Sequence, residues 1–458
     1  MNFAAAETIY EVNYRIHCGE SPREAQALPG FQGTLKFESG GLAREIRFDL
    51  FQGKEKTLVS LGDTAAQPEV TLLPHAGTRC RLEKTATTLN QVDLSRADLD
   101  ANLYLTALRH SPYLVVRRDQ VENRGTDLPL ELVYSLHENA DAGTVTLRYT
   151  VFFSDEDSKR SAADVKGQLA RYGRSTDIEW AYEVVFSRKD GAVLGRYFQG
   201  GFGDKSRTGD LAGDHARVSF QGKYWGGTAH PILYNFAKNN VFADAPKAMA
   251  EADRYIAYHP SLTPDARIQT PEAREAFQFS PAGSYMTAVS EIETRLEGKS
   301  PGTVSDYLFA TVRGTLLPNQ TPFNFSNGAF NISVDMKGTR ESFGRFGTEQ
   351  KVDRLGEDMF QQESIAGIRL TGGLLDGLTA AGGLTAEIAF SDARAFGRTE
   401  KFEIARLGCF RLRWNPQTQR YETQTLPVLT QKLEGFGSTV RLGRERLLAE
   451  DAPSESVK

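Results

Sequence analysis

Asp177-Ile178-Glu179-Trp180-Ala181-Tyr182-Glu183-Val184 alternates acidic or small side chains with apolar and aromatic ones. A period of two marks a β-strand, whose side chains point to opposite faces in turn. Ile178, Trp180, Tyr182 and Val184 then share one face, and Asp177, Glu179, Ala181 and Glu183 share the other. Carboxylates two positions apart on a strand have Cβ atoms roughly 6.5–7 Å apart. That spacing suits a shared metal, a coupled pair of acids, or hydrogen bonds to sugar hydroxyls. A solvated acidic face of an antiparallel sheet is the competing reading.

The flanking sequence extends the pattern. Lys189-Asp190-Gly191 carries the Asp-Gly hairpin signal, so 192–199 is the expected partner strand. Upstream, strands are predicted at 70–74, 112–118, 129–136 and 144–153, and downstream at 216–220. At the N-terminus Tyr10, Val12, Tyr14 and Ile16 alternate with Glu11, Asn13 and Arg15. Leu35 and Phe37, then Ile46, Phe48 and Leu50, flank Gly40-Gly41 as a second hairpin. Past residue 300, strands are expected at 309–317, 330–336, 365–370, 384–390, 402–405, 410–414 and 421–425. A helix is expected at 95–109, with Ser95 as cap, Asp98 three residues on, and Leu99, Leu103, Leu105 and Leu108 as its apolar stripe. Residues 245–256 also have helical composition.

This pattern predicts a mostly β protein built of antiparallel β-sandwich or jelly-roll domains with a few short helices. Its 458 residues exceed what one core usually covers. The expected division is an N-terminal β-rich domain (1–110), a central sandwich carrying the site (111–257), and a linker or crossing segment (258–300) rich in proline at its start (Pro260, Pro264, Pro271). A C-terminal β-rich domain (301–448) and a polar tail (449–458) follow.

Charge narrows the function classes. Lys+Arg number 54 and Asp+Glu 59, well mixed, for a formal net charge of −5. Nucleic-acid binding needs a basic face that displaces counterions, and no such block is present. No run of about 18 apolar residues predicts a transmembrane helix. Met1-Asn2-Phe3-Ala4-Ala5-Ala6-Glu7 reads as what remains of an exported chain after leader removal, or equally as an ordinary Ala-rich start. Cys18, Cys80 and Cys409 lack metal-ligand spacing. Cys18 and Cys80 form either a disulfide or two thiols, and Cys409 reads as core.

The residue types that do chemistry crowd into 149–244. Arg174, with Arg171 and Tyr172, precedes the acidic strand and is placed to pair with it. Asp155, Glu156 and Asp157 repel one another unless a cation offsets them. Calcium suits such oxygen ligands, although the Asp-x-Asp-x-Asp-Gly spacing is missing and a solvated loop end is the other reading. His230 precedes Pro231 and follows Tyr224-Trp225-Gly226-Gly227, a loop that would present it as a base or a metal ligand. A packed structural histidine is the bland alternative, and His215 is a weaker candidate of the same kind. Trp225 and Tyr224 beside Asn240 offer flat apolar faces and amides, as sugar binding requires. Trp414 poses the same question and reads as core. No Gly-x-Ser-x-Gly, zinc, P-loop or dinucleotide signature is present.

Two resemblances bear on these residues. Ser175 to Glu179 resembles the Glu-x-Asp-x-Glu catalytic strand of jelly-roll endo-glucanases, with Asp177 and Glu179 at the second and third acidic positions. Ser175 stands where that family has its nucleophile, so its retaining mechanism fails unless another segment supplies the acid. Residues 149–244 also resemble the vacuolar protein sorting 62-like family, through Tyr149–Phe153, Asp177–Trp180 and His230-Pro231-Ile232-Leu233-Tyr234. Asp-Ile-Glu-Trp replaces that family's Asp-Trp-Glu, and Lys238-Asn239-Asn240 its His-containing turn. This second resemblance implies a β-sandwich module and carries no catalytic mechanism.

The expectation is an exported binding or surface protein, periplasmic or secreted, with a carbohydrate or other cell-surface ligand. Asp177, Glu179, His230 and Asn240 would converge on one site, with Trp225 as platform and no cofactor required beyond the calcium option. The alternatives are a glycan hydrolase, with Glu179 as general acid/base tuned by Asp177, and a scaffold without ligand.

Overall fold

The structure is a computed structural model. It describes residues 6–17, 31–39, 42–50, 56–62, 64, 66–74, 81–117, 129–153, 177–200, 216–237, 240–250, 252, 254–258, 262–264, 307–317, 321–322, 330–336, 339–346, 364–369, 384–390, 401–415, 417, 420–426, 433–434 and 439–442. The protein is mostly β. It divides into two compact units: Met1–Arg160, Thr176–Asp265 and Pro416–Arg420 in the first, and Ser161–Ser175, Ala266–Asn415 and Tyr421–Lys458 in the second.

The first unit contains β1 (Ala6–His17), β2 (Phe31–Ser39), β3 (Leu42–Leu50), β4 (Lys56–Gly62), β5 (Glu69–Pro74), β6 (Arg81–Asp93), α1 (Leu103–His110), β7 (Tyr113–Arg117), β8 (Pro129–Asn139), β9 (Thr144–Phe153) and β10 (Asp177–Ser187). These are followed by β11 (Val193–Gly200), β12 (Ala216–Ser219), β13 (Ile232–Asn235), β14 (Phe242–Ala243), β15 (Arg254–Tyr258) and β16 (Leu262–Pro264). Six strands form the main sheet in the order β12-β11-β10-β9-β8-β16, and four form a second, β14-β13-β7-β15. Three-stranded sheets β4-β1-β6 and β3-β2-β5 complete the unit. Pairing is antiparallel except for β7 with β13 and β8 with β16. One core joins Leu147, Tyr149 and Val184 of the main sheet to Leu114, Leu233 and Phe242 of the second, which is sandwich packing. Ile9 of β1 and Leu108 of α1 enter the same core.

β10 departs from simple alternation. Trp180 pairs with Thr150 but Tyr182 pairs with Tyr149, so Ala181 is the extra residue of a β-bulge. Cross-strand partners share a face. Asp177 and Glu179 stand opposite Phe153 and Val151, on the side that continues into Tyr182 and Val184, which is the core side. Glu183 stands opposite Arg148 on the outer side with Trp180. The bulge thus re-phases the strand, and the expected grouping of Glu183 with Asp177 and Glu179 is corrected.

The helix at 95–109 is also shorter than expected. Leu94–Arg96 is a 3-10 turn capped by Asp93, and α1 begins only at Leu103 after Asn102. Asp98 is the breaker: its carboxylate accepts from the amides of Asp100 (2.9 Å) and Ala101 (2.7 Å), a local turn that competes with helix. Residues 245–256 hold a 3-10 turn at Pro246–Ala248, and Arg254–Tyr258 is a strand against β7. Sheet pairing overrides helical composition there.

In the second unit, Tyr307–Leu317 pairs antiparallel with Lys401–Asn415 and with Ser364–Arg369. Tyr307, Phe309 and Leu412 are buried. A separate sheet runs Thr339–Phe346, Phe330–Met336, Leu384–Phe390, Thr439–Leu442. The segments expected at 402–405 and 410–414 are one strand.

Candidate functional site

Asp177 opens β10 and is buried. One carboxylate oxygen accepts from the Ile178 amide (2.9 Å), and the other from the side-chain amide of Asn240 (3.1 Å). The Asn240 carbonyl in turn accepts from Asn235 (3.2 Å). Asn240 lies between β13 and β14 with φ +56°, left-handed backbone that asparagine tolerates better than most residues. The structure therefore brings Asp177 and Asn240 together, as a buried polar bridge from the first residue of β10 to the β13–β14 turn.

Glu179 is buried and accepts a hydrogen bond from Gln199 of β11, itself fully buried. On the outer side of the same sheet, Glu183 receives Arg148 Nε at 2.8 Å and Arg217 Nε at 2.7 Å. Arg217 also lies over the Tyr197 ring, 3.4 Å from its centroid, and Arg148 over Trp180 at 5.9 Å. Tyr197 in turn lies against Gly195, where a Cβ would come within 2.8 Å of the ring. Ser135, Arg148, Glu183, Tyr197 and Ser219 pair in sequence across β8 to β12, so they form one row on this outer face.

His230 sits in a different network. The loop before it folds back on itself: Trp225 N donates to His230 O (2.9 Å), and Tyr224 bridges to Pro231. Gly226 and Gly227 turn it with φ +50° and +79°. Gly226 rests on Gly62 at the end of β4, so closely that a Cβ on Gly62 would meet Gly226 O at 2.9 Å. This backbone approach seats His230 on β1. Its Nε2 lies 2.5 Å from Glu7 and its Nδ1 2.7 Å from the Ser111 carbonyl. A carbonyl only accepts, so Nδ1 carries a proton, and one further proton is shared between Nε2 and Glu7. Burial by itself pushes the imidazolium pKa down, but the charge and hydrogen bond of Glu7, with the Ser111 carbonyl, raise it overall. Ser60 donates to Glu7 as well.

Serine, histidine and glutamate thus meet without forming a nucleophilic triad. The Ser111 hydroxyl lies 3.2 Å from Nδ1 but donates to Leu108 O (3.0 Å). A protonated Nδ1 has no lone pair to take the hydroxyl proton. Glu7, Ser60, Ser111 and His230 are 0–2% exposed. The group locks β1, β4, the start of β7 and the 225–230 loop to one another. Sequence reading missed Glu7, Ser60 and Ser111, because partners separated by 53 to 223 residues leave no local signal.

Trp225 is not an open platform: its ring stacks on buried Tyr113, centroids 4.6 Å apart and 10° between planes. Tyr224 packs edge-on against Phe220. Arg174, Asp155, Asp157, Ser175, His215, Cys18 and Cys80 lie outside the described residues, as do the side chains of Cys409 and Trp414. Among the described residues no group of three or more His, Cys, Asp or Glu side chains is placed to hold a metal ion. No described helix is long and apolar enough to cross a membrane. No protein-family model, no curated protein and no solved structure matches the chain.

Proposed function

We propose that this is a β-sandwich binding protein for a polar, carbohydrate-type ligand, and that the outer face of the main sheet takes the ligand. The supporting observation is the division of labour along β10. Asp177 and Glu179 face the interior and are held by the amides of Asn240 and Gln199, while Trp180 and Glu183 face outward beside two arginines. Burial of both interior carboxylates favours binding over hydrolysis, since a general acid must reach the scissile oxygen. Trp180 is only half-buried, Arg217 is exposed, and Ser219 adds an exposed hydroxyl opposite Tyr197. A flat ring with flanking fork donors and hydroxyls is the equipment of sugar recognition.

The test is a glycan array probed with the wild-type chain and two variants. Trp180→Ala is expected to weaken binding at least tenfold, and Glu179→Gln to leave it intact. Turnover of any glycan that disappears in Glu179→Gln would instead establish the hydrolase. Binding indifferent to Trp180→Ala would remove the outer face from consideration.

A further inference from the structure

At the C-terminal end of α1, buried His110 lies within electrostatic reach of its neighbour Arg109 and of Arg196 of β11. Arg196 pairs with Val184, so it shares the core side of the sheet with Val184 and Phe186. His110 packs edge-on against Phe186, ring centroids 5.6 Å apart, and is 6% exposed. Imidazole and guanidinium therefore occupy neighbouring positions over one patch of β10. Burial, then the positive charges of Arg109, Arg196 and His230, hold the His110 pKa down to about 3. The helix end does not account for this cluster. Its last carbonyls are taken by other groups: Ala107 O by the Tyr149 hydroxyl (2.6 Å), and Leu108 O by Ser111. Arg109 Nε and His110 Nδ1 are both buried and have no hydrogen-bond partner among the described residues. The first is a donor only, and the second donates in one tautomer.

We propose that Arg109, His110 and Arg196 form a binding site for a small oxyanion, of the sulfate, phosphate or carboxylate class, at the margin of the core. An acceptor-only ligand supplies what the Arg109 and His110 donors lack, and its charge offsets the positive charge that the two arginines place around the neutral imidazole. Both arginines are half-buried, which places the site where the core meets solvent. The site lies on the opposite side of the main sheet from the face proposed for the polar ligand, and stands or falls separately from it.

Isothermal titration of the full chain with sodium sulfate, phosphate and acetate, each against sodium chloride at equal ionic strength, tests the proposal. One saturable site is expected, and the tightest of the three anions identifies the oxyanion class. Arg109→Gln and Arg196→Gln are expected to weaken it at least tenfold. Arg109→Lys, which keeps the charge but loses Nε–H, should fall between. In the wild type, saturation should move the nitrogen resonances of the His110 ring. Absence of saturable binding overturns the site, as does binding unchanged in both glutamine variants. Should those variants fail to fold, a His110 ring that ignores a saturating anion overturns it equally.

Discussion

Glu7 and His230 hold each other where neither would be stable alone. A carboxylate 2% exposed and an imidazole 0% exposed are costly to bury unless they share a proton and fill their remaining hydrogen-bond positions. Here Ser60 donates to the same Glu7 oxygen that His230 reaches, and the Ser111 carbonyl accepts the Nδ1 proton. Removing one partner strands the other, so Glu7→Ala is expected to cost about 3–5 kcal/mol, read as a lower urea midpoint with unchanged slope. A loss under about 1 kcal/mol would mean that the pair does not lock the fold. Asp177 and Asn240 follow the same logic with neutral amides. Their pairing was legible as a grouping in sequence, because the acidic strand and the polar turn are both unusual locally. That the grouping is interior was not legible, since burial depends on which sheet lies opposite.

At the scale of elements, the loop 225–230 docks on β4 through two glycines rather than through side chains. Gly62 has φ +80° and no room for a Cβ against Gly226 O. Gly62→Ala therefore meets both a backbone penalty and a clash, and is expected to destabilise by about 2–4 kcal/mol. Calorimetry checks this, and Gly191→Ala serves as control, because that turn is also left-handed but has open space around it. Most strands were legible from alternation: the strand at 330–336 and that at 384–390 match their expected bounds. β6 was not, although it runs thirteen residues. Its Glu83-Lys84-Thr85-Ala86-Thr87-Thr88 core is largely exposed and carries no apolar period, so its strand character comes from pairing with β1. The bulge at Ala181 was equally silent, and it separates Glu183 from the face that Asp177 and Glu179 share.

Over the whole molecule, two histidines shape the dependence of stability on pH. The folded-state pKa of His110 is about 3, below the unfolded value of about 6.5, so the unfolded chain binds more protons between them. Its contribution is lost as pH falls through that window, about 5 kcal/mol in full. The folded-state pKa of His230 is raised, so its contribution is present below about 6.5 and lost as pH rises through the folded value. Stability should therefore peak near pH 6.5 and decline on both sides. Melting temperatures from pH 4 to 9 test this, with Glu7→Ala expected to flatten the alkaline limb and His110→Phe the acid one. A wild-type profile flat above pH 6.5 would contradict the assignment to His230. The Glu7–His230 contact also has a consequence in time. Its partners are 223 residues apart, so at translation rates of about 5–20 residues per second β1 waits roughly 10–45 s on the ribosome before its closing partner exists. Throughout that interval Glu7 has to stay hydrated, even though β1 can already pair with β4 and β6.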